Sequence, residues 1–190
     1  SEALSKTGAR VIEGVDVSED DGLQALRAGV GEQRLDVLIN NAGILTRETL
    51  DDLESPGPGL DRIRRQLEVN SLGPLRVTCA LLDNLRDGGK VAIVTSRMGS
   101  IGDNTSGARY GYRMSKAAVN MAGVSLAHDL KPRGVAVALL HPGFVTTDMT
   151  GGMGNYGPDE AARLLIERID ALTLESSGTF WHASGEVLPW

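Results

Sequence analysis

The chain has 190 residues, of which 41% are hydrophobic and only 4% aromatic, and its formal net charge is −6 at pH 7. That length predicts one domain, residues 1–190, whose core needs neither disulfides nor metals. The negative charge and the absence of a basic run argue against a nucleic-acid surface, and no apolar run approaches the roughly 18 residues of a membrane span.

Cys79 is the only cysteine, which excludes an intramolecular disulfide. We expect it to be a small buried side chain in a reducing, cytoplasmic environment. The three histidines lack the spacing of metal ligands, so no metal site is predicted.

The first part of the chain alternates predicted strands and helices. Residues 10–17 have the alternating β-branched pattern of a strand that ends at Asp16 and Val17. Ser18 is predicted to cap a helix, because acidic residues follow it in the first turn. The apolar run at 36–40 predicts a strand buried on both faces, which stops at Asn40.

The remaining chain continues this alternation. A loop rich in proline and glycine is predicted over 51–60, followed by a helix over 61–86 that Pro74 should bend. Further strands are predicted at 90–94, 134–140 and 178–182, and further helices at 112–130 and 158–172.

Strands that alternate with helices predict an α/β domain with a mainly parallel sheet. Ligands bind such a sheet beyond the carboxyl ends of its strands. Unusual polar residues and corners fall at these ends: Asp16, Asn40, Ser96 and Pro142-Gly143. The pattern therefore predicts a small-molecule site at this edge of the sheet.

Tyr112 and Lys116 are four residues apart in a predicted helix, which places both side chains on one face. An ammonium group beside a phenol favours the ionised phenol, and such a phenol can exchange a proton with a substrate oxygen. The spacing alone is equally typical of one solvated side of a helix, so both interpretations stay open at this point.

Taken together, the motifs resemble the short-chain dehydrogenase/reductase family over nearly the whole chain. They are Asp16-Val17, Asn40-Asn41-Ala42-Gly43, Asn70 within a helix, Ser96 after a strand, Tyr112 with Lys116, and Pro142-Gly143 before Val145-Thr146. Residues 97–102 and 184–190 resemble the C-factor and sniffer carbonyl reductases of that family. The resemblance implies a doubly wound Rossmann-type parallel sheet flanked by helices, and NAD- or NADP-dependent hydride transfer between nicotinamide and a carbonyl or alcohol.

The resemblance also implies four catalytic roles. Tyr112 is the general acid and base, and Lys116 lowers its pKa and holds the nicotinamide ribose. Ser96 donates a hydrogen bond to the substrate oxygen, with Ser100 as its nearest rival. Asn70 relays protons through water to Lys116, whereas Tyr110, which has no lysine four residues on, is a pocket or packing tyrosine.

The implied cofactor contacts fall into three groups. Asp16 and Val17 contact the adenine, Asn41 ties neighbouring strands, and the nicotinamide half contacts Tyr112 and Lys116. The adenosine half is bordered by Asn40, Ala42 and Gly43, and the nicotinamide is wrapped by Pro142, Gly143, Val145 and Thr146.

The glycine-rich phosphate loop of the family has no counterpart in the fifteen residues before Asp16. The β-α-β unit that carries it is absent from residues 1–190, and the resemblance makes residues 1–6 the tail of the second helix, which follows that unit. We expect this unit to precede Ser1 in the whole protein. Because the residues that select NAD or NADP belong to that unit, both cofactors stay open.

A literal G-x-G-x-x-G does occur at residues 152–157, twelve positions after Leu140. A phosphate loop must follow its strand directly, so we interpret residues 146–157 as a substrate lid. Its apolar contacts would come from Met149, Met153 and Tyr156.

Two functions remain open. The first is an NAD(P)-dependent carbonyl reductase or alcohol dehydrogenase. The second is a non-catalytic signalling or interaction protein that kept the scaffold and lost the cofactor site. The resemblance implies a homodimer formed through the helices at 61–86 and 112–130, a small-molecule substrate, and no nucleic-acid or membrane partner.

Overall fold

Four parallel strands form a sheet in the order β1-β2-β3-β4. The computed structural model describes residues 6–54 and 57–190. The strands are β1 (Leu35–Asn40), β2 (Leu85–Val94), β3 (Ala136–His141) and β4 (Phe180–His182). The predicted parallel α/β sheet is confirmed.

Helices in the described ranges connect these strands. They are α1 (Asp20–Val30), α2 (Asp51–Glu54), α3 (Gly59–Leu67), α4 (Gly73–Ala80), α5 (Tyr110–Leu130) and α6 (Pro158–Asp170). A π-helical turn, Glu68–Leu72, joins α3 to α4. Three short 3-10 turns lie at Arg97–Gly99, Lys131–Arg133 and Asp148–Thr150. No helix in this part of the chain combines the length and apolar character that crossing a bilayer requires.

The hydrophobic core covers both faces of the sheet, because alternate residues of a strand point to opposite sides. Val137 and Leu139 of β3 belong to the cluster that packs against α4 and α5. Ala138 and Leu140 belong to the other cluster, with Ile169 of α6. This double covering is the predicted doubly wound arrangement.

The strand predicted over 10–17 is wrong, because these residues have no regular structure. A strand needs the donors and acceptors of a neighbour, and the sheet in the described residues ends at β1 on this side. Side-chain packing holds the segment instead. A Cβ on Gly29 would lie 2.6 Å from Ile12, and one on Gly73 would lie 2.8 Å from Val17.

The outer side of β1 differs from the prediction for the same reason. Val37 and Ile39 are 39% and 49% exposed, so β1 is not buried on both faces. Cys79 on α4 is also exposed rather than buried, because the buried side of α4 is formed by residues such as Val77 and Thr78.

Several predicted boundaries also change. The predicted 61–86 helix ends at Ala80, and its last residues belong to the turn and to β2. The interruption expected at Pro74 is the π-helical turn before it, in which the Gly73 N–H donates to the carbonyl of residue 68. The predicted 51–60 loop contains α2 and the start of α3, while residues 1–5 and 55–56, including most of the predicted 1–6 helix tail, lie outside the described residues.

The predicted cap of α1 is also wrong. The N-cap residue is Glu19, and no side chain caps the helix. Ser18 turns back to Asp16 instead, since its backbone N–H and its hydroxyl donate to the Asp16 Oδ1 atom at 2.9 and 2.6 Å.

Candidate active site

A cavity of about 1000 Å³ opens at the carboxyl ends of β2 and β3. Its walls come from these strand ends, the loop after β1, the first turns of α5 and the segment before α6. The predicted site residues in these walls are Ala42, Gly43, Ser96, Tyr112, Lys116, Pro142, Gly143 and Val145. Strand ends and one helix face therefore meet where the sequence predicted a site.

Tyr112 and Lys116 lie together on α5. The Lys116 Nζ atom is 5.7 Å from the centre of the Tyr112 ring and donates to the Val94 carbonyl at 3.0 Å. Lys116 is only 4% exposed, and this burial lowers its pKa to about 8. Helical spacing has thus placed the ammonium group beside the phenol, at the end of β2.

The pKa of Tyr112 is raised by burial, while an interaction with the Ser96 hydroxyl acts in the opposite direction. The lowering by Lys116 that the resemblance implies does not contribute to this shift. The phenol is therefore protonated at neutral pH. That is the form able to donate a proton to a carbonyl oxygen.

Ser96 lies two residues after the end of β2, caps the 3-10 turn that follows, and is 7% exposed. Its Oγ atom accepts a hydrogen bond from the Met98 N–H at 3.2 Å and lies within reach of the Tyr112 phenol. The rival Ser100 is not among the described residues that line the cavity. Its Oγ atom accepts from the Asp103 N–H at 3.1 Å within a turn, so Ser96 is the serine at the site.

Asn70 is fully buried in the π-helical turn. Its Oδ1 atom accepts from the Ile44 N–H at 2.8 Å, and its Nδ2 atom donates to the Ile44 carbonyl at 2.9 Å and to the Ser115 Oγ atom at 3.0 Å. A Cβ on Gly43 would lie 3.4 Å from Asn70 Oδ1 and 3.6 Å from Lys116 Nζ. The amide thus joins the loop after β1 to α5 directly behind the lysine.

A smaller cavity of about 220 Å³ runs beside β1. Val17 and Asn40 line it, and Asn41 and Ala42 line both cavities, so the two adjoin. Asn40 Nδ2 also donates to the Thr78 hydroxyl at 3.2 Å. Asn41 does not tie strands as expected: it is exposed, and its side chain forms no hydrogen bond with a described residue.

Two predicted cofactor contacts lie outside these walls. The Asp16 carboxylate accepts from Ser18 and pairs with Arg65 at 3.0 Å, and these contacts lower its pKa to about 2. The Thr146 hydroxyl packs against Gly154, where a Cβ would lie 2.7 Å from it. Their cofactor roles stay predictions.

The predicted lid, residues 146–157, folds back on itself. The Thr146 N–H donates to the Tyr156 carbonyl at 3.0 Å. Met149 and Met153 line the cavity as expected, whereas the Tyr156 ring packs on His182, with 6.0 Å between ring centres. The G-x-G-x-x-G follows a 3-10 turn and not a strand, which agrees with the rejection of a phosphate loop.

The motifs did not reveal four arginines in the cavity walls or a buried histidine beside them. His141 ends β3, and burial, followed by the nearby His182, lowers its pKa to about 3. The arginines are Arg47, Arg97, Arg109 and Arg113. The sequence did contain one signal for this cluster: Arg109 and Arg113 are four residues apart, and Tyr112 lies between them.

Glu48 is another residue that the sequence did not single out. It is fully buried, and its carboxylate accepts from the Thr46 hydroxyl, from Gln66 Nε2 at 2.9 Å and from the Gly111 N–H at 3.2 Å. The Arg109 N–H donates to its carbonyl at 2.7 Å. One side chain thus fastens the loop after β1 to α3 and to the start of α5.

Comparison with known proteins identifies the family. A family model described as short chain dehydrogenase matches residues 2–155. The chain therefore belongs to the short-chain dehydrogenase family.

Two relatives and one solved structure show where in the family the similarity lies. The chain is 46% identical over 193 residues to 1-hydroxy-2-glutathionyl-2-methyl-3-butene dehydrogenase of Rhodococcus sp. (strain AD45), covering 98% of this chain and 83% of that one. It is 44% identical over 171 residues to C-signal of Myxococcus xanthus, covering 88% of this chain and 100% of that one. NADPH-bound carbonyl reductase from chicken fatty liver superposes with a TM-score of 0.89 at 29% identity, covering 100% of this chain and 81% of that one. The expected similarity to C-factor and sniffer carbonyl reductases is confirmed.

Proposed function

We propose that this protein is an NAD(P)-dependent oxidoreductase that interconverts a carbonyl and an alcohol, with Tyr112 as the general acid in reduction and the general base in oxidation. The observation that carries this proposal is the meeting of Tyr112, Lys116 and Ser96 in one cavity. The names of the dehydrogenase and carbonyl reductase relatives support the same reaction class.

The residues fit a dinucleotide. The larger cavity lies at the carboxyl ends of the strands, which is where α/β folds bind nucleotides, and the smaller cavity adjoins it beside β1. Gly43 leaves the space beside Lys116 open. NADH or NADPH, when bound, supplies the hydride. The residues that would hold the adenosine half are Val17, Asn40, Ala42 and Gly43, and those that would hold the nicotinamide half are Lys116, Pro142, Gly143 and Val145.

The proton chemistry belongs to the side chains of the cavity. Tyr112 donates its phenolic proton to the substrate oxygen, and the Ser96 hydroxyl donates a hydrogen bond to the same atom. That hydrogen bond stabilises the negative charge that develops on the oxygen. The ammonium form of Lys116 then stabilises the phenolate that Tyr112 becomes.

Asn70 contributes through its backbone. Pro74 has no N–H, so the Asn70 carbonyl lacks its usual helical donor four residues later. The amide group of Asn70 is already occupied by Ile44 and Ser115. We propose that the free carbonyl holds a water molecule through which Lys116 exchanges its proton with solvent.

The test uses the whole protein and a matched pair of variants. Tyr112→Phe is expected to lower kcat for carbonyl reduction about 10²- to 10⁴-fold, the usual contribution of a general acid. Tyr110→Phe removes the hydroxyl of the tyrosine two residues earlier in α5, which does not line the cavity, and is expected to retain wild-type kcat. Unchanged reduction by Tyr112→Phe would overturn the proposed role of the phenol.

The second function, signalling or interaction without catalysis, has one observation in its favour, the name C-signal of the Myxococcus xanthus relative. Titration of the whole protein with NADPH and NADH separates the two functions. Binding of either cofactor supports the enzyme, and binding of neither favours the alternative.

We also propose that two copies pair through α3 to α5. Met114 and Met121 are 50% and 70% exposed, and their spacing of seven residues places them on one side of α5. Light scattering that reports a monomer at micromolar concentration would rule this pairing out.

A further inference from the structure

Three of the four arginines at the cavity pair with no acidic group among the described residues. Arg47 lies on the loop after β1, and Arg109 and Arg113 lie at the start of α5. Within residues 6–54 and 57–190, none of the three forms an ion pair. Their charges are therefore left for a ligand.

The acidic groups nearby are already engaged. Asp103, the one acidic residue among the described residues of the cavity wall, pairs with Arg97 at 3.5 Å. Arg97 also pairs with Glu186 at 2.8 Å. The buried carboxylate of Glu48 accepts hydrogen bonds from three donors. In the described part of the chain, no carboxylate forms an ion pair with any of the three arginines.

The arginines repel one another. Arg109 directly precedes α5 and Arg113 lies in its first turn, so two like charges are held near each other. Burial, and after it the charge of Arg109, lowers the pKa of Arg113. This concentration of positive charge occurs in a protein whose formal net charge is −6. An anion bound between the arginines would remove the repulsion.

Backbone geometry and hydrogen bonds fix the start of α5 and the side chain of Arg113. Ala108 and Arg109 have φ angles of 53° and 52°, in the left-handed region that non-glycine residues rarely adopt. Arg113 Nε donates to the carbonyls of Gly107 and Ala108 at 3.2 Å, and its Nη2 atom donates to the Ser106 hydroxyl at 2.9 Å. Its Nη1 atom has no acceptor among the described residues, so one edge of the guanidinium group is left for a ligand.

We propose that the substrate carries carboxylate groups distant from its reacting carbonyl or alcohol, and that Arg47, Arg109 and Arg113 bind them. This assignment rests on the proposed function, because it names the substrate class of the same site. Guanidinium groups bind carboxylates through paired, charge-assisted hydrogen bonds. Since Arg109 directly precedes α5 and Arg113 follows Tyr112 within it, binding the carboxylates also positions the reacting oxygen relative to the phenol.

The test compares two substrates with the same reacting group. One is a ketone attached to the sulfur of glutathione, which carries two carboxylates, and the other is its diethyl ester, which carries none. Both keep the glutathione amino group. The kcat/KM for NADPH-dependent reduction is expected to be at least about tenfold higher for the acid, which corresponds to ~1.4 kcal/mol.

Variants that each remove one positive charge then show which arginines cause the preference for the acid over the ester. Arg47→Gln, Arg109→Gln and Arg113→Gln are each expected to lower the acid-to-ester ratio of kcat/KM about tenfold, mainly through KM. Arg47 is on an exposed loop, so its variant carries the least risk to folding. Arg86→Gln is the control, because Arg86 pairs with Asp36 at the opposite end of the sheet, and it is expected to keep the wild-type ratio.

The outcomes separate this inference from the proposed function. Equal kcat/KM for acid and ester, or reduction of an uncharged aldehyde without reduction of the acid, overturns the inference and leaves the reductase intact. No reduction of any of the three compounds overturns the proposed function and the inference with it. If an arginine variant weakens NADPH binding as much as it weakens acid binding, the arginines serve the cofactor phosphates, which also overturns the inference.

Discussion

The Lys116 ammonium group lies 5.7 Å from the centre of the Tyr112 ring, and Lys116 is 4% exposed. Burial disfavours the charged form of both groups: it lowers the pKa of Lys116 to about 8 and raises that of Tyr112. An ionisable pair held in this way costs folding free energy. The first prediction below follows from this cost, and the second follows from the raised pKa of Tyr112.

The first concerns stability. The pKa of Lys116 falls from 10.5 to about 8 on folding, so the unfolded chain holds more protons between these values and the contribution of Lys116 to stability rises with pH. Below pH 8 both states are protonated, and burial of the charge costs about 3 kcal/mol on the pKa difference. Lys116→Met should therefore be more stable than wild type at about pH 7, and the gap should narrow toward about pH 10. Urea unfolding at both pH values measures it, and a gap that does not change with pH would contradict the assignment.

The second concerns activity against pH. Because the pKa of Tyr112 is raised above 10, the phenol stays protonated through the neutral range. Carbonyl reduction, which uses the protonated phenol and the ammonium form of Lys116, should change little around neutral pH and fall as Lys116 loses its proton near its pKa of about 8. Alcohol oxidation needs the phenolate and should increase with pH over the same range. Initial rates in both directions test this, and an oxidation rate that falls as pH rises would refute it.

The third concerns Gly43. A Cβ at this position would make ordinary contacts at 3.4 and 3.6 Å with Asn70 and Lys116, so Gly43→Ala should fold with an unchanged Tm. The added methyl group would occupy the space proposed for the cofactor. We expect cofactor affinity to fall about tenfold, or ~1.4 kcal/mol. Wild-type affinity in the folded variant would remove Gly43 from the cofactor site.

The fourth prediction concerns Gly99, where the turn after β2 packs closely against α5. A Cβ on Gly99 would lie 2.7 Å from the Lys116 backbone. Gly99→Ala must therefore push the turn away from α5, at a cost of about 1–3 kcal/mol, and should reduce kcat by displacing Ser96 from Tyr112. Gly102→Ala is the control in the same loop, because its Cβ would meet Trp190 at 3.4 Å. Equal stability and kcat for the two variants would contradict the proposed geometry.

The sequence correctly predicted the strands and helices that their own local composition determines. The strands later named β2 to β4 are short apolar runs, and a run of this kind is stable wherever it is buried. Residues 10–17 have the composition of a strand, but a strand also requires a neighbour, and composition does not report one. The predicted helix over 61–86 was too long because Leu81 and Leu85, which are buried in the turn and in β2, continue the helical spacing of apolar residues.

The site divides in the same way. Ser96, Tyr112 and Lys116 could be located because the end of a strand and the spacing of a helix fix where a side chain points. Arg47 could not, because its loop is positioned by hydrogen bonds that the Ile44 and Thr46 N–H groups donate to Asn70 and Gln66, which are 20 or more residues away in sequence. Contacts between residues so far apart in sequence produce no local sequence pattern from which the position of the loop could be predicted.

The contacts of Glu48 have a consequence for how the site can open. The loop that carries Arg47 and the helix that carries Tyr112 are fastened by one buried carboxylate, so they form a rigid wall. The hydrogen bonds of residues 144–156 to other described residues stay within the segment, so side-chain packing, such as that of Tyr156 on His182, holds it against the rest of the described chain. Substrate exchange should therefore occur on the methionine side of the cavity, while the proton donor and the arginines keep their spacing throughout the catalytic cycle.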